Sequence, residues 1–183
     1  RGGSTITQQV VKNMTGDNEV TIKRKVTEIF RALRLEKNYS KDEILETYLN
    51  LVYFGNGCNG IEAAAEGYFG KTVGALSIAE AASIVGITQF PYKYDPSRGD
   101  WYREQNKERQ RTVLYKMHEL GKSSDEEYEQ AKVEPLVFSW DPGCVPSAGV
   151  ASRVDTASST EYDSYFVERM FNDIVADMHE QLG

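Results

Sequence analysis

Apolar residues recur at helical spacing through most of this 183-residue chain, and no run of alternating strand residues with hairpin turns interrupts them. That periodicity confines the chain to a mainly α fold. The first long helix is expected from about Val20 to Lys37, with Val26, Ile29, Phe30 and Leu33 on its buried stripe. Ser40 caps the next helix with Glu43 three residues later, and Ile44, Leu45, Tyr48 and Leu49 supply its core face. Three glycines and two asparagines between Gly55 and Gly60 then call for a loop with left-handed backbone. Alanine-rich helices follow over Ile61 to Phe69 and Ser77 to Gln89, where small side chains permit close approach. Pro91 and Pro96 interrupt the pattern. A long helix from Trp101 to Leu120 stops at Gly121, and a short one with an acidic first turn runs from Ser124 to Lys132.

Between Val133 and Thr160 the composition is that of a linker or extended arm. A last amphipathic helix is expected from Asp163 to Leu182, with a stripe of Phe166, Met170, Phe171, Ile174, Val175 and Met178 that needs a partner. The domain reading is therefore a helical domain over 1–132 followed by a linker and helix over 133–183. The longest apolar runs are too short to span a bilayer. The start at Arg1 without a Met reads as a piece of something longer.

Charge is unevenly distributed. Residues 1–37 carry 8 Lys/Arg against 4 Asp/Glu, a balance of +4, whereas residues 119–183 carry 4 against 14, a balance of -10. A basic beginning points to an anionic ligand, and the acidic remainder argues against nucleic acid as a partner. Cys58, Cys144, His118 and His179 lack the clustered spacing of a zinc site and read as packing or surface residues.

The basic beginning contains two candidate sites. Arg1 to Asn13 sets two glycines before Ser4, Thr5, Gln8, Gln9 and Lys12, which suits either an ordinary capped helix or a loop whose N–H groups and hydroxyls meet an anion. Arg24 and Lys25 stand four and three residues before Glu28, so both cations reach one carboxylate on a helix. A surface salt-bridge cluster accounts for that spacing as well as a functional one does. The functional reading needs Lys12, Arg24 and Lys25 to converge on one anion, which periodicity does not decide.

Several segments, in order, resemble the peptidoglycan glycosyltransferase domain of class A penicillin-binding proteins. Residues 3–9, Gly-Ser-Thr-Ile-Thr-Gln-Gln, resemble that family's second motif, and Arg24-Lys25-Val26-Thr27-Glu28 its third. Lys41 to Asn50 is similar to the fourth, and Tyr53 to Gly57, Gly60 to Ala64 and Tyr68 to Lys71 continue the similarity. The fifth is matched at Arg109, Val113 and Leu114, while Gln110 stands where a second arginine is expected and Arg111 is the neighbour that could replace it. The first motif, which carries the family's general-base glutamate, has no counterpart within these residues.

The resemblance implies a lysozyme-like helical glycosyltransferase domain, incomplete at its N-terminus and inactive as a piece on its own. It implies transfer of a disaccharide-peptide from lipid II, a polyprenyl pyrophosphate donor, to the growing glycan strand at the extracytoplasmic face of the bacterial cell membrane. It further implies a membrane anchor before Arg1 and a transpeptidase domain after Gly183. By motif match Lys12, Arg24 and Lys25 neutralise the departing pyrophosphate, and Ser4, Thr5, Gln8 and Gln9 bind donor sugar or phosphate. Glu28 matches the family's second essential carboxylate, with three roles open. It orients the cations, holds a divalent cation such as Mg or Mn, or assists leaving-group departure; its cationic neighbours favour the first, because they keep it ionised. The rivals are a lysozyme-like glycan hydrolase, which needs an acid in an apolar pocket, and a non-catalytic remnant that binds pyrophosphate or a partner. No Ser-x-x-Lys or Lys-Thr-Gly sequence occurs, so a transpeptidase role is excluded for these residues.

Overall fold

A computed structural model describes residues 3–16, 19–145 and 165–182, with side chains in the last segment described from 168 to 176. The chain divides into two compact units, Arg1–Val52 with Ser159–Gly183, and Tyr53–Ser158. Among the described residues the regular structure is helical, and the one isolated bridge joins Tyr53 to Asn59 across the glycine-rich loop.

In the first unit, α1 spans Ile6–Thr15, α2 Ile22–Asn38 and α3 Lys41–Leu51. Thr5 starts α1 by accepting the Gln8 N–H at 3.2 Å, and Gly16, at φ 63°, ends it with its N–H on the Lys12 carbonyl. Thr21 caps α2 in the same way by accepting the Arg24 N–H at 3.1 Å. Ser40 and Glu43 form the reciprocal capping box expected at α3. Val10 and Val11 of α1, Ala32 and Leu35 of α2, Tyr39 and Ile44 form the core of this unit. Met170 and Ile174 from a last helix, Tyr165–Leu182, complete it. Each buried Val, Leu, Ile or Met among them contributes about 1.5–3 kcal/mol. The Tyr39 hydroxyl donates to Asp173 at 2.5 Å, and the Thr47 hydroxyl meets the Met170 sulfur at 3.3 Å.

Two core faces differ from those expected of the sequence. Val26, Ile29, Phe30 and Leu33 of α2 are exposed, Phe30 at 66%, while Glu28, Ala32 and Leu35 face inward. The inner face of α2 is therefore the one bearing its ion cluster, and an apolar stripe in a sequence does not say which side packs. On α3, Leu45 is exposed and Thr47 is fully buried, its hydroxyl satisfied by the Glu43 carbonyl. In the last helix Met170 and Ile174 are buried and Phe171 is half exposed, whereas Phe166 and Met178 lie outside the described side chains.

The second unit contains α4 (Ile61–Phe69), α5 (Ile78–Ile87), the single-turn α6 (Pro91–Tyr94), α7 (Asp100–Glu119) and α8 (Asp125–Val133). The loop before α4 takes the expected left-handed backbone at Gly55, Asn56, Gly57 and Gly60. At Gly55, φ 85°, a Cβ would lie 3.0 Å from the Tyr68 hydroxyl and 3.1 Å from Asp95 Oδ2. Helix α5 is almost wholly buried and packs along α7, where Gly86 lets the Arg109 stem approach. Ala79, Ala82, Leu114 and Ala131 form the core between α5, α7 and α8. Gln110 is completely buried and its amide donates to the Ala79 carbonyl at 2.8 Å, while Arg111 is exposed. Position 110 therefore points into a helix contact, whereas Arg111 points to solvent. Within the stretch read as linker, Phe138 is buried against Phe69, and Ser139 donates its N–H to the Tyr68 carbonyl. Residues 146–164 of that stretch lie outside the described residues. Both cysteines are free thiols.

Candidate active site

Helices α1 and α2 bring the second and third sequence motifs together within the first unit. Lys25 is the joint. Its ammonium donates to Ser4 Oγ at 3.0 Å, to Gln8 Oε1 at 3.1 Å and to Glu28 Oε1, which uses all three of its hydrogens. Arg24 Nη1 donates to the other carboxylate oxygen of Glu28 at 2.6 Å. One carboxylate thus answers two cations, and the cluster keeps a surplus positive charge.

Burial decides how strongly these charges interact. The Glu28 side chain is 5% exposed, against 19% for Arg24 and 38% for Lys25. Burial alone pushes the Glu28 carboxyl up, but hydrogen bonds and charge from Lys25 and Arg24 outweigh it and hold the group below the ordinary 4.5. Glu28 is accordingly an anion at neutral pH. Arg24 keeps a buried Nε without a hydrogen-bond partner.

The other predicted residues divide into two sets. Ser4 and Gln8 join the cluster as acceptors for Lys25, and the Thr5 hydroxyl is spent on the α1 cap. Gln9 and Lys12 are not bonded to it; Lys12, one turn beyond Gln8, is exposed. The polar residues Gln8, Gln9 and Lys12 lie opposite the inward-facing Val10 and Val11 on α1. Thr7, not singled out in the sequence, is buried and donates to Glu36 Oε1 at 2.7 Å. Its spacing three and four before Val10 and Val11 was the available signal. A cavity of about 440 Å³ in the same unit is lined by Ile6, Thr7, Glu36, Tyr39, Lys41, Ile44 and Leu45, none of them a predicted site residue.

A protein-held divalent cation does not fit this donor set. Both Glu28 oxygens are engaged by cations, and the described residues contain no group of three or more His, Cys, Asp or Glu able to hold a metal. What the arrangement does offer is preformed positive charge beside hydroxyl and amide groups, which suits an anion that develops charge during reaction.

Comparison with known proteins places these observations. A family model described as Transglycosylase matches residues 1–118. Penicillin-binding protein 1A of Clostridium perfringens is 46% identical over 138 residues, 72% of this chain and 20% of that protein. Penicillin-binding protein 1A/1B of Bacillus subtilis is 41% identical over 176 residues, covering 94% of this chain and 18% of the relative. The chain thus spans about a fifth of the length of the curated relatives it matches. The crystal structure of penicillin-binding protein 1A from Haemophilus influenzae superposes with a TM-score of 0.51 at 27% identity, over 83% of this chain and 19% of that one.

Proposed function

This chain belongs to the transglycosylase family, and on that premise we propose that it forms part of a peptidoglycan glycosyltransferase that polymerises lipid II into glycan strands. The observation that carries the reading is the junction of the two motifs, where Arg24, Lys25 and Glu28 meet Ser4 and Gln8. Attack by an acceptor hydroxyl on the donor sugar leaves a polyprenyl pyrophosphate. The barrier to its departure falls when cations are already fixed where the negative charge grows. Arg24 and Lys25 supply that charge, and Lys12 adds a third cation on the same side of α1 as Gln8. Glu28 holds the two helix-borne cations in register, and Ser4, Thr5, Gln8 and Gln9 flank the donor-binding surface.

A glycan hydrolase needs a carboxylic acid kept protonated by apolar surroundings. Glu28 is in the opposite situation, held ionised by two cations, which supports the transferase over the hydrolase. The general base belongs to a segment outside the residues of this chain, in a longer protein of the kind its relatives represent. In that protein residues 1–132 belong to the glycosyltransferase and 133–183 lead toward the penicillin-binding portion, with a membrane anchor holding the whole at the extracytoplasmic face.

The test is Glu28→Gln in the full-length parent, followed by glycan-strand synthesis from lipid-linked disaccharide. The reading expects synthesis to fall by roughly a thousandfold with the fold intact. Normal polymerisation by that variant rejects the assignment.

A further inference from the structure

We infer that Ser4 and Gln8 act on the reaction through Lys25, as positioning residues, and not as direct ligands of the donor. The inference rests on the glycosyltransferase reading above and adds a division of labour within that site.

Lys25 carries a long side chain that, unrestrained, samples many rotamers and spreads its charge over a wide volume. Here the ammonium is held by three acceptors from three places in the sequence: Ser4 before α1, Gln8 in the first turn of α1, and Glu28 on α2 itself. Glu28 alone would fix it along the α2 surface, because the pair is three residues apart on one helix. The Ser4 and Gln8 bonds fix it in the remaining direction and tie it to α1. Gln8 is itself held, since its N–H is the donor in the Thr5 cap. The cap, the amide and the ammonium form one chain of bonds from the α1 N-terminus to the α2 cation. Lys12 shares the outward side of α1 with Gln8 but has no bond to Lys25, which makes it an internal control.

A residue that works through Lys25 loses its effect when Lys25 is gone. The experiment is a pair of double-mutant cycles in the full-length parent, measuring kcat and KM for glycan synthesis from lipid-linked disaccharide. Gln8→Leu is expected to lower kcat/KM roughly 10- to 100-fold, the cost of a misplaced catalytic charge, with most of the loss in kcat. In a Lys25→Met background the same change should alter kcat/KM by less than about twofold. In a Lys12→Met background the full loss should reappear. Ser4→Ala should follow the same pattern with a smaller loss. An undiminished Gln8→Leu effect in the Lys25→Met background overturns the inference, whether the cause is a direct contact with substrate or a general loss of folding. No effect in the unmodified background overturns it too. If the unmodified parent makes no glycan at all, the glycosyltransferase reading falls and the inference with it, whereas normal synthesis with independent effects overturns the inference alone.

Discussion

Each unit of this chain buries a glutamate against a lysine, and the two sites are built to different ends. In the second unit Glu80 is 7% exposed at its side chain and takes Lys71 on both oxygens, at 2.8 and 2.9 Å. One of those oxygens also accepts the Ser77 N–H, so the carboxylate is the third-residue partner in the α5 capping box. Charge there closes on itself, one anion to one cation. In the first unit Glu28 faces two cations, its neighbours include a hydroxyl and an amide, and a positive charge is left over. The balanced pair holds a helix end, and the unbalanced cluster is the one to which we assign an anion.

The largest expected separation of the two sites is in activity. Glu28→Gln in the parent protein should remove roughly three orders of magnitude of glycan synthesis, whereas Glu80→Gln should leave turnover per folded molecule within a few-fold. Equal losses would erase the distinction. The second separation runs the other way and is read by thermal unfolding. Lys71→Met strips a buried carboxylate of its cation and should destabilise by about 1–3 kcal/mol. Lys25→Met should cost less stability, because Arg24 still answers Glu28.

A third difference lies in pH. The folded Glu28 carboxyl sits below its ordinary 4.5, so the stability it contributes is fully present above that value and is lost as pH falls through the lowered one. Denaturant unfolding of the wild type and Glu28→Gln should therefore differ by a constant amount above about pH 5.5, begin to narrow as pH falls below about 4.5, and converge only below the lowered folded value. A gap that widened in acid would contradict the ion-pair account. The smallest effects belong to the caps. Thr21→Ala and Ser77→Ala should each cost about 1 kcal/mol, but only Thr21→Ala should also lower synthesis, because its helix turn carries Arg24 and Lys25.

Much of this was legible in the sequence where the information is local. The capping box at Ser40, the acidic helix start at Ser124, the left-handed loop at Gly55 to Gly60 and the close-packed alanines Ala79 and Ala82 of α5 follow from residue type and spacing. The Arg24–Glu28 and Lys25–Glu28 pairs are four and three residues apart and share a helix face for the same reason. The reach of Lys25 to Ser4 and Gln8, 21 and 17 residues away, depends on how α1 packs on α2 and has no periodic signature. The exposed stripe of α2 misled for a related reason. Val26, Ile29, Phe30 and Leu33 have a core-like period, yet the inward face carries Glu28, whose burial is made tolerable by two cations that a hydropathy pattern scores as surface. Gln110 shows the converse: where the family motif has a second arginine, the side chain is a buried amide bonded to the α5 backbone, a packing role that spacing does not reveal.

We assign the surplus charge at Arg24 and Lys25 to a pyrophosphate. That claim is tested most directly by equilibrium binding of a polyprenyl-pyrophosphate donor analogue to the full-length parent, comparing Arg24→Ala with Lys71→Ala. The claim predicts at least a roughly tenfold rise in Kd for Arg24→Ala, the loss of one charge-assisted contact, and an unchanged Kd for Lys71→Ala. Equal affinity in Arg24→Ala and the wild type, or an equal loss in both variants, would contradict it.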